Sequence, residues 1–165
     1  MKLIASLLVS LVASVVCETI NFKGSVDQVK KQTNQWLIVK SSDGKRIEST
    51  TVQKEITDDD DLKVEYSFKD KTDKVLGESS SRLCTESDSE EGMVISLLGS
   101  FLNLDLTCPI AKQKGEEGGG VRSGKIVLSE NPGEGTKIFF DISIKKGDTA
   151  ILTLSGYGRA TANKN

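Results

Sequence analysis

The sequence contains no histidine, and this absence removes several classes of site at once. Serine–histidine and cysteine–histidine nucleophile pairs cannot be built, and neither can a metal site that uses imidazole ligands. Acidic residues are plentiful, but no pair of carboxylates stands out, because they lie in runs typical of solvated surface. We therefore expect a protein that is not an enzyme and that uses no cofactor or metal.

An excess of basic residues is also missing. The chain has 22 Lys and Arg against 24 Asp and Glu, a formal net charge of −2. A slightly acidic chain has no general electrostatic attraction to nucleic acid or to an anionic membrane. The Asp58–Asp61 run lacks the interspersed Gly and distal Glu of a calcium loop, so it indicates a solvated hairpin tip. Gly118–Gly120 opens no predicted helix and does not indicate a phosphate site.

A long apolar run is present only at the start of the chain. Lys2 is followed by the nearly uncharged segment Leu3–Val16, which is too short to span a bilayer comfortably. This arrangement is typical of a signal peptide, with cleavage after Cys17. The sequence thus predicts a signal peptide over residues 1–17 and one domain over residues 18–165, secreted or delivered to an endolysosomal lumen.

Cysteine is scarce, and its count is informative. Of the three cysteines, Cys17 leaves with the signal peptide, so Cys84 and Cys108 remain. An even pair in an oxidising compartment predicts a disulfide bond between them.

Apolar residues after Cys17 alternate with polar ones in a period of two, which predicts strands and an all-β fold. Turn residues separate the strands, as in a β-sandwich or barrel. Two polar segments, Val26–Gln32 and Lys112–Ser123, are expected to be an approach loop and a flexible loop. The predicted strands are Leu62–Phe68 and Ile138–Ile144, with weaker candidates at Trp36–Lys40, Ile47–Val52, Gly124–Leu128 and Ala150–Tyr157.

The segment between the two cysteines does not follow this alternation. It begins with the acidic, serine-rich Ser87–Glu91 and becomes apolar over Met93–Leu106, which would be an aggregation hazard if it were exposed. Two interpretations stay open. Either the segment completes the core as a strand and a turn, or it is a flap over an apolar cavity, tethered at both ends by the disulfide.

Four short motifs point to a known family. The sequence Cys108-Pro109-Ile110-Ala111-Lys112, with another cysteine upstream in Ser81-Arg82-Leu83-Cys84, resembles the ML lipid-recognition family. That family includes the Niemann-Pick type C sterol carrier, the ganglioside activator and the group 2 mite allergens. Phe22–Asp27 is similar to the family's opening, and the predicted strands after Pro109 follow its final meander. The chain departs from the family in the 23 residues between its two central cysteines, where the family has a handful.

The resemblance implies an immunoglobulin-like β-sandwich with an apolar cavity between its two sheets. It further implies a monomer that binds a lipid, sterol or fatty acid and makes transient contact with a membrane or receptor. Burying such a ligand contributes about 25 cal/mol per Å² of apolar area. The candidate lining residues are Val64, Tyr66, Phe68, Ile138, Phe140, Ile142 and Ile144, with Leu97, Leu98, Phe101 and Leu102 near the entrance.

Two other functions are compatible with the sequence. One is a secreted immune or surface interaction module that recognises a receptor or microbial lipid through Ser87–Glu91 and the glycine-rich loop. The other is a lipocalin-type carrier, although Asn34-Gln35-Trp36 lacks the glycine expected two residues before that family's tryptophan.

Overall fold

A computed structural model of the chain describes residues 17–162. The predicted signal peptide therefore lies outside the described residues, apart from its last residue. That residue, Cys17, is exposed and carries a free thiol.

Within residues 17–162 the chain forms nine strands and one α-helix. Six strands form one sheet in the order β5-β4-β8-β9-β1-β7, and three form a second sheet in the order β2-β3-β6. All pairings are antiparallel. The predicted all-β sandwich is thus confirmed. The elements are β1 (Glu18–Lys31), β2 (Leu37–Ser42), β3 (Arg46–Val52), β4 (Leu62–Lys69), β5 (Val75–Arg82), α1 (Glu90–Leu102), β6 (Gln113–Glu116), β7 (Arg122–Leu128), β8 (Lys137–Lys146) and β9 (Thr149–Thr161).

The predicted strands form because their alternation places one apolar face inward. Along β4, the residues Leu62, Val64, Tyr66 and Phe68 are buried and the residues between them are exposed or half-buried. β8 follows the same pattern, and its last eight residues pair with the whole length of β4. The weaker candidate strands correspond to β2, β3, β7 and β9 and are confirmed as well.

The expectation that Val26–Gln32 is a loop is wrong, because most of it lies in the long strand β1. The first half of β1 pairs with β7 and most of its length pairs with β9. A bulge between Val26 and Gln28 shifts the register, so the inward positions change from even to odd residue numbers and Val29 is buried. A bulge interrupts the period of two, and this interruption hid the strand in the sequence.

Two further strands were not expected. The Lys112–Ser123 segment, predicted to be flexible, contains β6, which pairs with β3, and the start of β7. The edge strand β5 is rich in serine and pairs with β4. Small polar side chains suit its exposed face. Because few of its residues are apolar, the sequence shows no clear alternation that would identify the strand.

The Met93–Leu106 segment consists of most of helix α1 and a returning chain. Of the two open interpretations, the strand and turn is therefore wrong. Ser89 caps the helix, because its Oγ accepts a hydrogen bond from Gly92 N at 3.0 Å, and two glutamates occupy the first turn. The helix ends at Asn103, which adopts a left-handed conformation with φ 54°. A helix that is apolar on more than one face has to be enclosed, and the buried residues of α1 belong to the common core.

The six-stranded sheet curls until its two edges touch. Ser129, just after β7, donates hydrogen bonds from its backbone N at 2.7 Å and its Oγ at 2.9 Å to the carbonyl of Leu76 in β5. Helix α1 packs on β7 and reaches β3 and β5. The curled sheet, the smaller sheet and the helix therefore enclose one apolar interior.

The predicted disulfide is confirmed. Cys84 and Cys108 are bonded, with their Cα atoms 5.4 Å apart and 24 residues apart in sequence. The bond closes a loop that contains α1 and the returning chain that follows it.

Removing the disulfide tests its contribution to stability. The double variant Cys84→Ala/Cys108→Ala should lower the free energy of unfolding by about 3 kcal/mol, because the unfolded chain regains the entropy of an open loop. Urea denaturation measures this difference, and a reducing agent should destabilise the wild type but leave the variant unchanged. A variant as stable as the wild type would show that the loop is held by packing alone.

Candidate functional site

All eleven residues predicted to line or guard a cavity lie together in the interior. None is more than 7% exposed, and the four helical ones are no more than 1% exposed. The Phe101 ring stacks on the Phe140 ring of β8, with centroids 5.2 Å apart and planes at 13°. The residues expected near the entrance thus pack directly against the sheet face that was expected to line the cavity.

Sequence reasoning missed the aromatic residue that connects this cluster, Phe22. Its ring lies edge-on to Phe68 at 6.2 Å and to Phe140 at 5.9 Å. Phe22 is fully buried because β1 places it inward, paired with Ala160 of β9, and its ring lies against Gly158 two residues away. The alternation of Ile20 and Phe22 with polar neighbours was the signal that could have identified it.

The interior holds very little polar chemistry. Among the described residues with buried side chains, Thr50 of β3 is the polar one, and its Oγ1 has no hydrogen-bond partner. Thr50 pairs with Val39 and with Gly115, which lies against the end of α1. An unsatisfied buried hydroxyl costs about 1–3 kcal/mol, so this position is a point of stored unfavourable energy.

Helix α1 is attached to the sheets by polar contacts at its two ends. Near its start, Ser79 Oγ of β5 donates to the Glu91 carboxylate at 2.9 Å. Near its end, Arg122 Nε donates to the Ser100 carbonyl at 3.0 Å, and Asn103 Nδ2 donates to the Glu116 carbonyl at 2.9 Å. Between these ends the described contacts of the inward face are apolar, so packing holds the middle of the helix.

Two glycines of the segment predicted to be a flexible loop lie directly against the C-terminal end of the helix. A Cβ atom on Gly115 would lie 2.2 Å from the Asn103 carbonyl oxygen, and one on Gly118 would lie 2.5 Å from the Phe101 carbonyl oxygen. Any side chain at these positions would therefore push α1 away from the small sheet. Gly120, in the same segment, lacks such a neighbour: its Cβ would meet only the Arg122 guanidinium, at 3.4 Å.

Tyr66 is the titratable group of the predicted lining. Burial raises the pKa of its phenol above the ordinary value, and the nearby Glu91 carboxylate raises it further. The phenol is therefore neutral at physiological pH and acts as a mainly apolar surface of the interior.

A solvent-open groove of about 970 Å³ lies on the other side of α1. The outward face of the helix forms one wall, and the chain on either side of the Cys84–Cys108 bond forms the other. Gly92 and Gly99 let that chain approach closely, because a Cβ on either would contact its backbone. Of the eleven predicted residues, none contributes to this groove.

The acidic run forms a short 3₁₀ turn, Asp58–Asp60, between β3 and β4. These strands lie in different sheets, so the predicted hairpin tip is wrong, and Asp60 points inward. Its carboxylate accepts hydrogen bonds from Trp36 Nε1 and Thr57 N, both at 2.9 Å, and from Lys54 Nζ at 2.8 Å. The Lys54 hydrogen bond, followed by those from Thr57 and Trp36, holds the pKa of Asp60 far below its ordinary value. Across residues 17–162 no three Asp, Glu, Cys or His side chains are grouped to hold a metal ion.

Comparison with known proteins identified no relative from which a function could be inferred, so the function is inferred from the fold and its interior. A scan against protein-family models, a search of curated proteins and a search of solved structures each found no match. In the part of the chain that the structure describes, no helix is long and apolar enough to cross a membrane.

The Asp60 contacts predict a pH-dependent contribution to stability. Because the folded-state pKa is depressed, this contribution is present above the ordinary value of 3.8 and is lost as the pH falls below it. Asp60→Asn should lower the free energy of unfolding by about 1–3 kcal/mol at pH 7, and by about 1 kcal/mol less at pH 3, where the carboxyl of the unfolded chain is already mostly protonated. Urea unfolding followed by the fluorescence of the single tryptophan, Trp36, measures both. Asp59→Asn, on the exposed side of the turn, is the control, and an Asp60→Asn effect independent of pH would contradict the assignment.

Because the Thr50 hydroxyl has no hydrogen-bond partner, we expect its removal to stabilise the protein. Thr50→Val keeps the shape of the side chain and removes the unsatisfied group, so it should raise the free energy of unfolding of the ligand-free protein by about 1–2 kcal/mol. Thermal and urea unfolding measure the change. Thr51→Val, at a half-exposed position on the opposite face of the strand, should have little effect. A loss of stability in Thr50→Val would mean that the hydroxyl has a partner.

Proposed function

We propose that the protein is a secreted carrier that holds a lipid, sterol or fatty acid in its interior, with α1 as a displaceable lid. The observation that carries this proposal is the placement of α1. Its apolar side chains, led by Phe101 on Phe140, fill the space between the sheets, and the whole segment is tethered outside that space by one disulfide.

The chemistry of the interior suits a hydrocarbon ligand. Aliphatic and aromatic side chains from the sheets and the helix meet there. A ligand that replaces the helix side chains would bury its own apolar surface at about 25 cal/mol per Å², so it compensates for the contacts that the lid gives up. The same contacts keep the interior closed to water when no ligand is bound.

The attachment of α1 suits movement as a unit. Its polar contacts are at its ends, where water can replace them once the helix moves. The Cys84–Cys108 bond keeps the two ends of the segment joined throughout, just after β5. Opening therefore requires loss of helix packing without unfolding of the sheets. The apparent affinity for a ligand then depends on the fraction of molecules in which the lid is open.

Thr50 supports the same proposal. Its hydroxyl lies near the end of α1 without a partner, so the hydroxyl or carboxyl group of an amphiphilic ligand could pair with it. A disulfide in the mature domain also supports secretion, since such bonds persist in oxidising compartments.

The alternatives receive less support. A surface interaction module would present the glycine-rich loop, but Gly118 and Gly119 are buried beneath the lid and against Ile47. A lipocalin would be a single up-and-down barrel, whereas these strands form two separate sheets.

Ligand titration tests the carrier proposal directly. The purified protein should be extracted with organic solvent, the extract analysed by mass spectrometry, and the delipidated protein titrated with a fluorescent fatty acid and a fluorescent sterol. At least one probe should bind with 1:1 stoichiometry and be displaced by its unlabelled parent. No binding by either class of probe would overturn the proposal.

A matched pair of glycine variants tests the lid. Gly115→Ala pushes the end of α1 outward, which should cost the closed state about 1–3 kcal/mol and tighten ligand binding about tenfold or more. Gly120→Ala, in the same loop but without a close neighbour, should leave affinity unchanged. If Gly115→Ala lowers thermal stability but does not tighten binding, α1 is ordinary core and the lid is refuted.

A further inference from the structure

The outer face of the six-stranded sheet brings together positive charges that are scattered along the sequence. Two neighbouring rows of the sheet define what we call the basic-aromatic face. In the first row Lys137 of β8 pairs with Arg159 of β9, which pairs with Lys23 of β1. The second row continues this face with Lys69 of β4 beside Phe139 of β8, which pairs with Tyr157 of β9. The face therefore comprises Lys23, Lys69, Lys137, Arg159, Phe139 and Tyr157.

Its aromatic residues are unusually exposed. Phe139 is 37% and Tyr157 42% exposed, and their rings lie 6.4 Å apart. The ammonium group of Lys137 lies over both rings, 4.1 Å from the centroid of Tyr157 and 4.8 Å from that of Phe139. Val75, at the margin of the second row, is a further exposed apolar side chain.

The cations of this face are not neutralised by nearby acids. Among the described residues, none of the four lies within 4.0 Å of a carboxylate. The adjoining acids have other partners: Asp141 accepts a hydrogen bond from Ser155, and Asp70 accepts hydrogen bonds from Thr72. Glu134 borders the face, since Arg159 Nη1 donates to the carbonyl of the adjacent Gly135 at 2.9 Å, but no described cation of the face lies within 4.0 Å of its carboxylate. A chain with a net charge of −2 thus carries a local positive field here.

We propose that the basic-aromatic face is a docking surface for an anionic lipid bilayer. The charges complement lipid phosphates, and strand pairing brings them together on the outer, convex side of the curled sheet, where a bilayer surface can approach them. Exposed aromatic rings beside lysines suit the interface between headgroups and acyl chains, where an apolar body and a polar end are both accommodated. Three of the four cations are lysines, whose flexible point charges suit a fluid array of headgroups better than a fixed bidentate partner. The docking surface does not depend on the interior holding a lipid.

Co-sedimentation with vesicles tests the docking surface. The purified protein should bind vesicles of phosphatidylcholine with 30% phosphatidylserine and leave vesicles of phosphatidylcholine alone unbound. Raising the salt concentration should weaken binding, because surface charges are screened. The triple variant Lys23→Gln/Lys137→Gln/Arg159→Gln should lose about fivefold in affinity for each charge removed, about a hundredfold in total.

A second triple variant provides the matched control. Lys40→Gln/Lys45→Gln/Lys112→Gln changes the net charge equally, but its positions lie in and beside the three-stranded sheet and are exposed. It should lose less than about threefold in affinity, whereas equal losses in the two triple variants would show that net charge alone attracts the protein. The double variant Phe139→Ser/Tyr157→Ser should also weaken vesicle binding. Full binding by this variant would show that the aromatic rings do not contribute to docking.

Two further measurements separate this proposal from other partners and from lipid carriage. A soluble acidic polymer, polyglutamate, should compete only weakly, and binding to it in the absence of binding to anionic vesicles would overturn the bilayer in favour of an acidic protein. The face variants should leave titration with the fluorescent fatty acid and sterol unchanged, since the face is outside the interior. Each proposal can therefore fail without the other.

Discussion

Packing between α1 and the concave face of the six-stranded sheet is the interaction on which the rest of the structure depends. Phe101 on Phe140, with Phe22 and Phe68 beyond it, joins the helix to the middle strands. Without the helix, these aromatic and aliphatic side chains would face water in the gap between the sheets. The fold can do without its helix only if another apolar body takes the same place, and this is the physical basis of the proposed carrier function.

The features around the helix follow from that constraint. The disulfide holds the segment in place, the glycines before β7 make room for its end, and polar contacts lie only where solvent is near. Thr50 is the exception, since its hydroxyl lies in the interior with nothing to pair with. A group left unsatisfied in the closed form gives a polar ligand atom an interaction that no protein atom already makes.

The net charge of the chain does not describe how its charged residues are distributed over the surface. The composition excludes a strongly basic protein, and from it we expected no attraction to anionic surfaces. The antiparallel register nevertheless sets Lys23, Lys137 and Arg159 side by side, although they are far apart in sequence. Net charge therefore describes the field at a distance, whereas the pairing of strands determines the field at one face.

Much of the fold and part of the candidate site follow from local pattern. Alternation in Leu62–Phe68 and Ile138–Ile144 predicted the β-sandwich and the buried set, and the even pair of cysteines predicted the disulfide, because each depends on residue type and near neighbours. Four features could not be predicted in this way. They are the bulge in β1, the serine-rich edge strand β5, the helical state of Met93–Leu106, and the close contact between Gly115 and the end of α1. The apolar residues of Met93–Leu106 follow no clear period, so their local pattern is compatible with strand or helix, and the space that the two sheets leave between them favours the helix.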